Sequence, residues 1–143
     1  MIRSMPLSTD DAAGRAHTRP TLLIADDDPV VRSTLSLALE RDFDIVGVAA
    51  DAAGSIELAE QTQPDAALID VQMPGGGGRS AVRGIVTCSP RTAVVMLSSD
   101  ESDAGVRELM SAGAVTYVRK GDPRELPKLL TRAVRAHHSE RAS

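Results

Sequence analysis

The sequence predicts an α/β fold: a doubly wound (βα)5 unit with a five-stranded parallel sheet and helices on both faces. Three observations predict it. From Thr21 onward, short apolar runs alternate in strict order with longer segments of helical period, and such alternating units build parallel sheets. Runs such as LLIA, AALI and AVVML are apolar without alternation, as expected for strands covered on both faces. The length of 143 residues suits one domain able to bury a core and is too short for two.

Residues 1–19 are polar, small and aperiodic, so a flexible N-terminal segment is expected ahead of a folded domain over 20–138 and a polar tail over 139–143. The first strand is read from TLLIAD. The helix that follows, PVVRSTLSLALERDF, opens where Asp28 can cap it and Pro29 can sit in the first turn, a place where a missing N–H costs nothing. Val31, Leu35 and Leu39 recur every fourth residue and are expected to face the core. DIVGVAA and AAGSIELAEQTQ form the second pair, and DAALIDV and GRSAVRGIVTC the third. TAVVMLSS leads into ESDAGVRELMSAG, a helix that Gly113 should close with a positive φ. VTYVRK is the last strand. In PRELPKLLTRAVRAHH, Pro123 signals a helix start, but Pro127 disturbs the first turn, so the α-helix proper is expected one turn later. Gly75 to Gly78 is the low-complexity stretch, a permissive loop since each glycine samples positive φ freely. It lacks the G-x-x-x-x-G-K-[ST] pattern of a phosphate cradle.

Composition removes several function classes. Hydrophobic residues make up 42% and charged residues 25%, ordinary globular values. Phe43 and Tyr117 are the only aromatics, so the core must be aliphatic and stacking on nucleic-acid bases is nearly excluded. A net charge of -4 and a pI near 5.3 give no basic footprint, so no direct nucleic-acid partner is expected. Cys88 stands alone, which rules out an internal disulfide and fits a reducing compartment. His137 and His138 lack further spaced ligands for a metal. No stretch reads as a signal peptide or membrane span, so a cytoplasmic protein with no membrane partner is expected.

In an open parallel sheet, functional groups gather beyond the carboxyl ends of the strands. The residues ending the apolar runs are Asp26 with Asp27, then Asp70, Ser98 and Lys120, while the second strand contributes nothing ionisable. Three converging carboxylates suit a hard cation that prefers oxygen ligands, and Mg2+ with retained waters is the expected cofactor. Asp28 turns away to cap the helix. A hydroxyl and an ammonium nearby supply a donor and a fixed charge for a tetrahedral anion, which points to phosphoryl chemistry. Singly, each residue has a plain structural reading: a solvated helix start, a turn former or a surface lysine. Their joint placement on one rim carries the reading.

These motifs resemble those of response regulator receiver domains, the phosphorylation module of two-component signalling, from about Thr21 to His137. ADDDP resembles the family's acidic pair, and LIDVQMPG its phospho-acceptor aspartate with the Met-Pro-Gly loop. VVMLSS resembles the strand ending in the switch hydroxyl, and TYVRK the segment with a switch aromatic three residues before a lysine. The resemblance implies a flavodoxin-like fold, with Asp70 accepting a phosphoryl group from a sensor histidine kinase or a small phosphodonor. It implies Mg2+ held by Asp27, Asp70 and the backbone carbonyl of Gln72, with Asp26 acting through water. Lys120 would pair with the carboxylate and then the phosphoryl group. Ser98 and Tyr117 would switch the surface of the fourth and fifth helices, through which an output domain or downstream protein is engaged, with homodimerisation as an option. ADDDP and VRKGDP most resemble receivers of helix-turn-helix transcriptional regulators. No metabolite-converting enzyme is implied, only self-phosphorylation and self-dephosphorylation.

The sequence departs from the commonest family pattern in places. Gly121 follows Lys120 where many relatives have proline, removing the residue type that favours a cis peptide. Ser99 stands where a smaller residue is usual, and Gln72 and Asp100 occupy positions that influence water access to the phosphoryl group. Two alternatives compete. One is a receiver-like interaction domain that works without phosphorylation. The other is a haloacid dehalogenase-like phosphatase, since Asp26, Asp28 and Val30 satisfy D-x-D-x-[TV]. That family needs a further strand with an acidic pair after the lysine, and here a helix and a polar tail follow.

Overall fold

The computed structural model describes residues 19–74, 77–98, 103–121 and 123–142. Strands β1 (Thr21–Ala25), β2 (Asp44–Ala49), β3 (Ala66–Asp70), β4 (Ala93–Ser98) and β5 (Thr116–Arg119) alternate with helices α1 (Pro29–Leu39), α2 (Ala52–Thr62), α3 (Gly77–Cys88), α4 (Asp103–Ala112) and α5 (Leu126–Ala142). All strand pairs are parallel, in the order β2-β1-β3-β4-β5. The predicted five-stranded doubly wound sheet is therefore present. Chain direction across the sheet reverses beside β1, which opens a crevice past the carboxyl ends of β1 and β3.

Successive residues of the central strands point to opposite faces, and both faces are covered. Leu22, Ile24, Leu68, Val95 and Leu97 pack with Leu35 and Leu39 of α1 and Leu126 and Leu130 of α5. Leu23, Ile69, Val94 and Met96 pack on the other side with Ala59 of α2, Val82 and Ile85 of α3, and Leu109 of α4. This double burial explains the unalternating apolar runs. The edge strand β5 alternates partly buried and exposed residues instead.

The helix signals act as the sequence indicates. Asp28 caps α1 by accepting from Val30 N–H at 2.9 Å. Gly113 follows α4 with φ 125°. A 3-10 turn over Pro123–Glu125 precedes α5, which places Pro127 in the first α-helical turn, where its missing N–H is harmless. Two features went unread. Residues 139–142, expected within a polar tail, continue α5 to Ala142. Gln63 ends α2 in the left-handed region at φ 46°, a conformation usually taken by glycine. Its side-chain amide reaches Cys88 O at 3.0 Å, which ties α2 to α3. The peptide joining Lys120 to Gly121 is not cis, in keeping with glycine rather than proline at that position. Residues 1–18, Gly75, Gly76, Ser99 and Asp100 lie outside the described residues.

A polar clasp holds the end of the sheet opposite the crevice. Asp65 accepts from Thr21 N at 2.8 Å and Thr21 Oγ1 at 3.2 Å, and Arg91 Nη2 lies 2.6 Å from its other oxygen. Burial works to raise the Asp65 carboxyl, but the Thr21 N–H and the Arg91 guanidinium outweigh it and hold it below the usual carboxylate range. A depressed folded-state value means this group stabilises the fold above the unfolded-state value and ceases to as pH falls through the folded one. Asp65→Asn is expected to cost about 1 kcal/mol at pH 7. Urea unfolding at pH 7 should show that difference in full, and it should shrink as pH is lowered through the depressed folded-state value, below the usual carboxylate range.

Candidate functional site

Each strand end on the rim delivers its group by a distinct local device. Past β1, the Asp26 N–H donates to Ala49 O at 3.1 Å, holding the loop against β2. The Asp26 side chain is fully buried. Its Oδ1 accepts from Asp28 N–H at 2.9 Å, a tight Asx-type turn that directs Asp27 outward to the mouth of the crevice. Its Oδ2 lies 3.1 Å from Lys120 Nζ, within ion-pair distance but not aligned as a hydrogen bond. Arg32 fixes the same loop from the second turn of α1, donating to Asp26 O at 2.8 Å.

Asp70 is the last residue of β3 and is buried. Its Oδ1 accepts from Gln72 N–H at 3.2 Å and lies 3.2 Å from Lys120 Nζ. Burial pushes the Asp70 carboxyl above the usual carboxylate range; the Asp26 charge adds to this, while the Gln72 N–H and Lys120 oppose it. Lys120 follows β5, and its N–H donates to Ser98 O at 2.8 Å, which extends the β4–β5 ladder by one residue and aims the ammonium inward. Burial works to lower the Lys120 ammonium, yet Asp26 and Asp70 together raise it above its usual value. The cation is thus firmly charged.

Asp26, Asp27 and Asp70 can each offer an oxygen such that all three lie within 4.8 Å of one another. The buried Asp26 Oδ2 accepts no hydrogen bond. Three hard anionic donors converging at the crevice fit a small divalent cation with retained water.

Ser98 ends β4, buried beside this cluster. Tyr117 lies on the edge strand and is 36% exposed, so the ring is on the surface. The structure therefore brings Asp26, Asp27, Asp70, Lys120 and Gln72 together, with Ser98 adjoining and Tyr117 apart. Arg32 was missed by sequence reasoning; its signal would have been a basic residue one turn into α1 after an acidic loop.

The loop after Asp70 needs two of its glycines. Gly77 has φ 66°, and Gly78 N–H donates to Val71 O at 2.8 Å. A Cβ on Gly78 would lie 2.7 Å from Met96 Cε and 2.9 Å from Val71 Cα, and the backbone atom cannot retreat. Gly78→Ala is expected to cost about 2 kcal/mol in chemical unfolding.

A family model for the response regulator receiver domain matches residues 22–131. The chain belongs to this family. The receiver is 38% identical over 115 residues to the transcriptional regulatory protein YxjL of Bacillus subtilis, covering 79% of this chain and 51% of that protein. It is 37% identical over 102 residues to the response regulator GacA of Pseudomonas aeruginosa, covering 70% of this chain and 48% of that one. Among solved structures, it matches the signal receiver domain of the response regulator NarL from Mycobacterium tuberculosis with a TM-score of 0.78 and 26% identity, over 82% of this chain and 97% of that one. The receiver spans about half the length of the curated relatives it matches. Its kinship with receivers of transcriptional regulators agrees with the resemblance of ADDDP and VRKGDP. Among the described residues, no helix is long and apolar enough to cross a membrane.

Proposed function

We propose that this receiver accepts a phosphoryl group on Asp70 and uses it to change a partner-binding surface. The observation that carries the reading is the buried Asp70 carboxylate held 3.2 Å from Lys120 Nζ, with Asp26 and Asp27 beside it. A buried carboxylate with one fixed cation is positioned to attack phosphorus while the cation meets the charge that develops on the phosphoryl oxygens. In the transfer, an Asp70 oxygen forms the new bond to phosphorus. The bond from phosphorus to the donor breaks, and its electron pair leaves with the imidazole of a histidine kinase or the carboxylate of a small acyl phosphate.

Asp27, Asp70 and the Gln72 carbonyl would hold Mg2+, with Asp26 acting through a bound water. The ion would supply positive charge that draws donor and acceptor oxygens together. Lys120 then pairs with the new phosphoryl group, Ser98 donates its hydroxyl to it, and Tyr117 turns inward from its exposed place on β5. The added charge thereby biases the surface made by α4, β5 and α5. That surface would engage an output domain, a downstream protein or a second copy. The relatives' names support a transcriptional output, reached in the cytoplasm by phosphorelay signal transduction rather than by enzymatic turnover.

Intact-mass spectrometry after incubation with Mg2+ and acetyl phosphate tests the reading. One phosphoryl adduct is expected, absent in Asp70→Asn and absent when the metal is chelated. A folded sample that binds Mg2+ yet takes up no phosphoryl group from acetyl phosphate or a kinase would overturn it.

A further inference from the structure

Of the carboxylates that converge at the crevice, Asp27 is the exposed one, and among the described residues no cation pairs with it. Lys120 serves the other two, Asp26 at 3.1 Å and Asp70 at 3.2 Å. Repulsion from two buried neighbours of like charge drives an unpaired carboxylate outward, toward solvent. The place of Asp27 within 4.8 Å of them therefore depends on the backbone that carries it.

That backbone is steered through one peptide unit. Arg32 Nη1 donates to Asp26 O at 2.8 Å, and this oxygen belongs to the peptide joining Asp26 to Asp27. A peptide is planar, so holding its carbonyl sets the direction in which the chain enters Asp27. The other bonds of the turn act to either side of this unit. The Asp26 N–H, on Ala49 O, anchors the residue before it, and the Asp28 N–H, on Asp26 Oδ1, anchors the residue beyond it. Arg32 N–H also donates to Asp28 O at 3.0 Å, so one residue ties the helix and the turn together. Its guanidinium is a charged donor, which strengthens the bond to the carbonyl. We infer that Arg32 is a positioning residue for the divalent cation, acting through the Asp26–Asp27 peptide to keep the Asp27 carboxylate inside the cluster. The inference rests on the reading that Asp27 and Asp70 hold Mg2+. Charge and positioning pull in opposite directions here. The guanidinium charge by itself repels a cation, so losing charge alone tightens Mg2+ binding, whereas losing the positioning bond weakens it.

Backbone-amide NMR titration of the whole chain with MgCl2 reads the affinity without phosphoryl transfer, at a temperature well below the metal-free melting of every variant. Arg32→Met is expected to weaken Mg2+ binding about tenfold, as suits the loss of an outer group that orients a metal ligand. It should also shift the Asp27 amide before any metal is added. Arg32→Lys keeps the charge and one donor on a shorter stem, and should recover part of the affinity. If Arg32→Met does not fold, Arg32→Gln, whose amide stops short of the carbonyl, replaces it. Unchanged affinity with a lower melting temperature would overturn the inference, leaving Arg32 a prop of α1 and the metal reading intact. Tighter binding would overturn it as well, in favour of a purely electrostatic effect. A native chain that takes up no Mg2+ would overturn the metal reading and this inference together.

Discussion

Asp70→Asn is expected to abolish the phosphoryl adduct and, without Mg2+, to raise the melting temperature by several degrees. Loss of the adduct follows from loss of the carboxylate oxygen that attacks phosphorus. The gain in stability follows from the electrostatics of the same group. Burial and the Asp26 charge hold the Asp70 carboxyl above its usual range despite Lys120 and the Gln72 N–H. A carboxyl whose folded-state value lies above its unfolded one opposes folding when ionised, and stability rises as pH falls through the folded value. Wherever the carboxyl is ionised it carries that cost, and the neutral amide removes it. Asn keeps an oxygen to accept from Gln72 N–H, while Lys120 keeps Asp26 at 3.1 Å. Thermal unfolding at pH 7 with and without Mg2+ reads the effect. Mg2+ should stabilise the native chain by mass action and the variant little, closing the gap. A variant less stable than the native chain without Mg2+ would show that Asp70 is held by attraction and not under repulsion.

The fold was legible because its signals are local and mutually consistent. LLIA, AALI and AVVML lack alternation since helices cover both faces, and Asp28, Pro29 and Gly113 act within a turn of their own positions. The rim followed from topology, because strand ends of a parallel sheet share one edge. Features that depend on distant packing were not legible. Ser139, Glu140 and Arg141 are polar, yet they continue α5, since polarity does not oppose a helix. Gly84 reads as a weak helix position, but a Cβ there would lie 2.3 Å from Ile56 Cδ1, so α2 approaches α3 through it. The clasp of Asp65, Thr21 and Arg91 joins residues far apart in sequence, which no motif records.

Lys120→Met is expected to stop phosphorylation and to destabilise the fold, the opposite sign to Asp70→Asn from a residue 3.2 Å away. The ammonium serves two carboxylates at once, at 3.1 Å and 3.2 Å. Without it, Asp26 and Asp70 keep their burial and mutual repulsion but lose the opposing charge. Removing one partner of a buried pair costs about 3–5 kcal/mol, and the lower figure applies because the lysine side chain is 27% exposed. Its raised folded-state value means the stabilisation is complete at neutral pH and is lost only as pH rises through that value, above the ordinary lysine range. Urea unfolding at pH 7 should therefore show the full deficit, and the deficit should shrink at strongly alkaline pH. Phosphorylation by acetyl phosphate should fall by about 100-fold or more, since the ammonium is the fixed cation that meets the phosphoryl charge. The double variant Lys120→Met with Asp70→Asn separates the causes. If repulsion between the carboxylates carries the loss, the second substitution recovers most of the stability and none of the phosphorylation. If Lys120 acts mainly through the packing of its stem, the two effects simply add.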